Sequence, residues 1–219
     1  MFSRPTNSRA FTLLELLVVI GIIALLLVAV VPAVTNLSKS SGRKGAISNI
    51  TSIIEQARSL ALSDARNTYV AFATVLPASA TPQMIQDYSY RTYAVFEDNA
   101  SGGGKSQVTK WQKLPTGISF RSQNESSGTG TCLTSVSNTT TSAFSFPALG
   151  GTINCPYIEF DSTGAIIQPT SASPMRLVVF EGSVSGGIEN LTARESSGEP
   201  VRGEVEIAKF TGRAKYVIR

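Results

Sequence analysis

From Leu16 to Val34 the chain runs through 19 consecutive residues without a charged or polar side chain. As an α-helix this run would extend about 28 Å, close to the hydrocarbon thickness of a bilayer. Overall hydrophobic content is 42%, an ordinary value, so the run is a matter of distribution rather than composition. Arg4 and Arg9 precede it, Glu15 stands at its start, and Lys39, Arg43 and Lys44 follow. A cleaved secretory signal accounts for the basic start, but the run is longer than a usual signal core. A plain signal anchor accounts for the length and leaves Glu15 unexplained. The flanking positive charges are nearly balanced, so charge alone does not set the orientation.

Several function classes drop out on composition. The net charge of +4 is scattered along the chain and makes no basic face, so no nucleic-acid partner is expected. The chain has no histidine, which removes Ser-His-Asp and Cys-His nucleophiles, imidazole metal sites and HExxH zinc sites. No metal and no cofactor are expected. Cys132 and Cys155 form no CxxC pair; outside the cytoplasm one disulfide is the natural reading, and two buried thiols are the alternative. Gly102-Gly103-Gly104 lacks both the spacing and the following helix of a nucleotide loop and reads as a hairpin turn.

The residues at the front of the run are Ser8-Arg9-Ala10-Phe11-Thr12-Leu13-Leu14-Glu15-Leu16. They resemble the prepilin-type signal of type IV pilins and of the pseudopilins of type II secretion. The resemblance implies a basic leader, 1–10, cut by a prepilin peptidase between Ala10 and Phe11, with N-methylation of Phe11. The family usually has Gly before the cut, where this chain has Ala10. The apolar helix, 11–35, would stay attached as a transmembrane and assembly element.

Glu15 is costly at the edge of an apolar slab unless it snorkels, protonates or meets a cation. Cleavage would create one, the α-amine of Phe11, four residues earlier and near the same helical face. The resemblance implies that Glu15 pairs with the terminus of a neighbouring subunit during assembly; a merely interfacial Glu15 is the plainer reading. Pro32 removes a backbone hydrogen bond and is expected to kink the helix.

Beyond Val34 the pattern turns amphipathic. Ile47, Ile50, Ile54, Ala57 and Ala61 recur at three- and four-residue steps, with Ile53 and Leu60 beside them. The expected continuation, 36–67, ends at Asn67, a residue that tolerates the left-handed conformation. Gly42 and Gly45 leave open whether it is one helix or two. Thr68–Leu76 and Tyr88–Glu97 have the β-branched and aromatic character of strands.

Three later pieces are similar to minor pseudopilins of the GspH/FimT type: the strand-turn-strand Trp111–Phe120, the strand and Asp-x-x-Gly turn Tyr157–Gly164, and a final hairpin, 205–219, around Thr211-Gly212-Arg213. Within that family the chain is similar to the Verru_Chthon cassette protein D group. A Ser/Thr/Gly-rich stretch, 122–145, reads as an exposed insertion in the head. The expected fold is therefore α+β: a long N-terminal helix, its hydrophobic half transmembrane, packed on an antiparallel β-sheet head over 68–219.

The resemblance implies a minor pilin or pseudopilin, non-enzymatic, in the bacterial inner membrane with a cytoplasmic N-terminus and an extracytoplasmic head. Its implied partners are prepilin peptidase, other pilin or pseudopilin subunits, the inner-membrane assembly platform and membrane lipid. The alternative is a membrane-anchored binding module for a sugar, a surface or DNA that does not polymerise. An enzyme would have to use carboxylates such as Glu159, Asp161 or Glu181, which form no recognisable site in the sequence.

Overall fold

The computed structural model describes residues 13–100, 102–122, 141–170, 175–196, 198 and 200–217, without the side chains of 27–41. The chain divides into two compact units, Met1–Ser40 and Ser41–Arg219. Helix α1, Leu13–Asp64, supplies the described part of the first unit and the first element of the second. Its helical assignment includes Pro32, Gly42 and Gly45, so one helix rather than two answers the question left open by the glycines.

In the first unit every described side chain of α1, from Leu13 to Leu26, is exposed. Among the described residues no helix is long and apolar enough to cross a membrane. The described side chains stop at Leu26, whereas the apolar run continues to Val34.

In the second unit, α1 becomes one-sided. Ala46, Ile47, Ile50, Ile53, Ile54, Ala57 and Ala61 are all buried, while Ser48, Asn49 and Gln56 face solvent. Three- and four-residue steps bring these apolar residues onto one stripe, and burying that stripe is what stabilises an amphipathic helix. The helix stops at Asp64, where Ala65 adopts a left-handed φ of 52°. Asn67 does not perform the expected capping role. Its side-chain Nδ2 instead donates to Glu159 Oε1 at 3.0 Å, and its carbonyl accepts from the Asp98 N–H. The Thr68 hydroxyl donates back to the Ala57 carbonyl at 2.8 Å, holding the first strand against the helix.

The remaining elements are β1 (Thr68–Ala73), α2 (Pro82–Tyr88), β2 (Thr92–Asp98), β3 (Lys105–Gln107), β4 (Gln112–Lys113), β5 (Ile118–Phe120), β6 (Thr141–Phe146), β7 (Gly151–Phe160), β8 (Ile166–Gln168), β9 (Met175–Ser185), β10 (Ile188–Leu191), β11 (Arg202–Ile207) and β12 (Ala214–Val217). Among the described residues, strand pairing makes two sheets. One has the order β3-β2-β1-β7-β6, with β4 on β2 and β8 on β7; the other has the order β10-β9-β11-β12, with β5 on β9. Every pairing is antiparallel. The fold is thus α+β, a helix followed by antiparallel sheet.

The helix stripe meets side chains from both sheets in one core: Phe72, Tyr93 and Ile158 from the first, Phe120, Val179, Val205 and Ile207 from the second. Strand β1 is buried on both faces. Its other face lies under a second cluster that includes Ala71, Phe96, Phe144 and Phe146, with Met84 and Ile85 of α2 against it. At Gly203 a Cβ would collide with the Ile47 side chain, so α1 lies close against β11 there and any larger residue would require Ile47 to shift.

Two expected boundaries differ. Tyr88 closes α2 rather than opening a strand; Thr81 accepts from the Met84 N–H and Pro82 stands in the first turn, both helix-start features. The last residues of the stretch expected to be an exposed insertion, 141–145, belong to β6, which pairs with β7, and Phe144 among them is buried, as is Phe146 just beyond. Alternating Phe with Ser and Thr is a strand pattern that the polar bias of the stretch concealed.

Candidate functional site

The front of α1 combines two properties that rarely coexist in water. Leu13, Leu14 and Leu25 are 84%, 72% and 74% exposed, and Leu16, Leu17, Val18, Val19, Ile20, Ile22, Ile23 and Leu26 are also exposed. Residues at consecutive positions point to all sides of a helix, so this segment is apolar all round. A helix of that kind is ordinarily buried in a core, in lipid or against other helices, and an exposed apolar patch of this size marks an interaction surface.

Glu15 lies in the first turn of this helix. The unsatisfied N–H groups and the dipole of a helix start favour a carboxylate there. Ala10 and Phe11 lie outside the described residues, as does the pairing that Glu15 was expected to make with the Phe11 amine. Pro32 is part of α1; the expected kink rests on its missing N–H.

In the head, Glu159, Asp161 and Glu181 each have partners of their own. Glu159 accepts from Asn67, and burial pushes its pKa above the usual range. Asp161 sits in a tight turn. Partial burial pulls its pKa up, but the Thr163 hydroxyl at 2.6 Å and the N–H groups of Thr163, Ala165 and Gly164 hold it below the ordinary value. Gly164 completes that turn with a φ of 77°, the left-handed geometry that Asp-x-x-Gly supplies. Glu181 pairs with Arg43 at 3.0 Å. Cys155 is a free, fully buried thiol on β7, its pKa pushed up to about 12 by burial and partly offset by a backbone hydrogen bond at Phe72. Cys132 lies outside the described residues, and so does any bridge between the two.

The reading of the sequence missed how the polar face of rear α1 is used. Arg58 Nε donates to the Thr211 carbonyl at 2.5 Å, and the Ala214 N–H donates to Glu55 Oε1 at 2.9 Å. These two side chains clamp the Thr211-Gly212-Arg213 turn onto the helix. Their charge and three-residue spacing are visible in the sequence; the partner, more than 150 residues away, is not.

The model of the prokaryotic N-terminal methylation motif matches residues 5–31, a span that includes Ala10, Phe11, Glu15 and most of the exposed apolar helix. No curated protein is similar to the chain in sequence. Two crystal structures of the type IV minor pilin FimU from Pseudomonas aeruginosa are similar to it at a low level. One, in space group P21, is 11% identical with a TM-score of 0.41, covering 83% of this chain and 92% of that one. The other, in space group P65, is 12% identical with a TM-score of 0.37, covering 80% and 92%. The N-terminal part of this chain thus carries the prokaryotic N-terminal methylation motif, set at the head of an exposed apolar helix.

Proposed function

We propose that the chain is a minor pilin or pseudopilin of the GspH/FimT type, a structural subunit of a type IV pilus or a type II secretion pseudopilus. In this reading prepilin peptidase cuts between Ala10 and Phe11 and methylates Phe11. The apolar helix holds the subunit in the inner membrane, with the head outside the cytoplasm, until the assembly platform moves it into a filament. There the same apolar surface meets other subunits, and Glu15 meets the terminal amine of a neighbour. The helix bends at Pro32 to fit that packing. A disulfide between Cys132 and Cys155 would suit the oxidising side of the membrane, and it would have to form from the Cys155 thiol that the structure leaves free and buried.

The observation that carries this reading is the conjunction at the front of α1: an apolar surface exposed all round, one carboxylate in its first turn, and the methylation motif in register with both. Lipid alone would satisfy the apolar side chains; it gives no reason for a carboxylate at that depth. A counter-charge from a second subunit does.

Glu15→Ala tests it in cells that carry the peptidase and sibling subunits. The expected result is a precursor cut to the wild-type mature mass, with sheared-filament incorporation reduced at least tenfold. Normal incorporation of the variant would end the role given to Glu15, and absence of the wild-type chain from sheared filaments would leave it as an anchored binding module and end the assembly reading.

A further inference from the structure

In the head, the backbone between α2 and β2 is engaged on every side. The Ser89 N–H donates to Ile85, the Tyr90 N–H to Ala73 at 2.7 Å, and the Arg91 N–H to Tyr88; the Tyr90 and Arg91 carbonyls accept from Phe120 and Leu114. These bonds hold Tyr90 at a φ of 56°, a conformation that costs a bulky residue and is kept only where its surroundings impose it. The turn delivers Arg91 to a cleft between α2 and the β9–β10 turn.

That cleft has a volume of about 600 Å³ and is lined by Pro82, Ile85, Gln86, Arg91, Val184 and Ser185, among others. An adjoining arm of about 420 Å³ shares Ile85 and Val184 and adds the apolar Val75 and Leu76. The Arg91 side chain makes no hydrogen bond or ion pair among the described residues, and its Nε is buried without a partner. The Nη groups are not closed off in this way, and a carboxylate in the cleft would meet them through the planar fork that suits carboxylate geometry. Arg91 is the only charged side chain among the described residues that line the two arms. Glu189, whose charge reaches Tyr90, is already paired with Arg121 at 3.3 Å.

We propose that this cleft binds a ligand bearing one carboxylate beside an apolar group, a chemistry shared by free amphipathic acids and by peptide C-termini with an apolar last residue. The carboxylate meets Arg91 and the apolar group lies against Leu76, Ile85 and Val184. A single negative charge matches the single cation. A phosphate dianion would leave charge uncompensated in a partly apolar cleft. The site is independent of the assembly chemistry at Glu15.

The test titrates isotope-labelled full-length chain, held in uncharged detergent micelles, with N-acetyl-leucine, reading the backbone amide resonances of Ile85 and Val184 in every variant and the Arg91 Nε–H where it is present. A saturable shift is expected, with binding at least tenfold weaker for N-acetyl-leucinamide, for acetate and for inorganic phosphate. Arg91→Gln should weaken it at least tenfold. Ser185→Glu, an exposed rim change that leaves Arg91 in place, should do the same by repulsion and guards against a misfolded Arg91 variant. A short peptide ending in leucine identifies the source: tighter binding points to a chain terminus, equal binding to a free acid. Absence of saturation, equal binding of the amide or of phosphate, or undiminished binding to a well-folded Arg91→Gln or Ser185→Glu chain would each overturn the proposal.

Discussion

The two ends of α1 use the same backbone for opposite purposes. From Leu13 to Leu26 the apolar side chains are exposed in every direction; from Ala46 to Ala61 they form one buried stripe. The front carries more apolar surface than the rear, yet it contributes nothing to the core of the head. Hydrophobicity by itself therefore does not say where a helix is stabilised. The periodicity does, because a one-sided pattern can be satisfied by its own chain and an all-round pattern needs lipid or other subunits.

Introducing a charge should separate the two ends most sharply. Ile54 is fully buried, and Ile54→Asp places an unpaired carboxylate in the core, so loss of the cooperative thermal transition of the head is expected in detergent. Val19→Asp should leave that transition unchanged while removing the chain from the membrane fraction. A Val19→Asp chain whose head melts like the Ile54→Asp chain would break the comparison.

The next effect is steric. Gly203→Val pushes a side chain into Ile47 where α1 crosses β11, and overpacking of this kind costs about 1–3 kcal/mol in chemical denaturation. Adding Ile47→Ala should recover part of that loss if the contact is the cause, whereas a purely additive double variant would show that it is not.

Cutting the polar clamp should matter less. Arg58→Ala removes the donor to Thr211, a loss of at most roughly 1 kcal/mol for an exposed bond. Proteolysis should then sharpen at the Thr211-Gly212-Arg213 turn without touching the front of the helix. An unchanged cleavage pattern there would mean that the turn is held by β11 and β12 alone.

The smallest effect is a pH dependence. The folded pKa of Asp161 is depressed, so its contribution to stability is present above the ordinary aspartate range and is lost as the pH falls toward and through the folded value. Asp161→Asn, which keeps an acceptor oxygen for the turn, should flatten the fall in melting temperature on acidification below about pH 4. An equally steep fall in the variant would assign the acid sensitivity elsewhere.

Much of the fold was legible in local pattern. Ile47, Ile50, Ile54, Ala57 and Ala61 announced their buried stripe by spacing, Thr68–Ala73 its strand by side-chain type, and Asp161–Gly164 its turn by turn chemistry. Helix α2 was not legible, because Pro82–Tyr88 is only seven residues long and the aromatic Tyr88 reads equally well as the start of a strand. Nor was the fate of Trp111–Phe120. Its two strands look like one hairpin, but β4 joins β2 and β5 crosses to β9 in the other sheet. Strand pairing is a choice among distant partners, and residue type constrains it weakly.

What the sequence determined by itself was the front of the chain: an uncharged run, a carboxylate at its edge and the residues of a methylation motif, all of them linear features whose meaning survives without a fold. The amphipathic rear of α1 was determined almost as fully, since a helical stripe is a local property. Only the tertiary structure decided which strands share a sheet, that Gly203 lies against Ile47, and which backbone groups meet Glu55 and Arg58. It also decided that Arg91 stands without a partner in a cleft. Each of these depends on groups far apart in the chain arriving at one place, and no local spacing encodes that arrival.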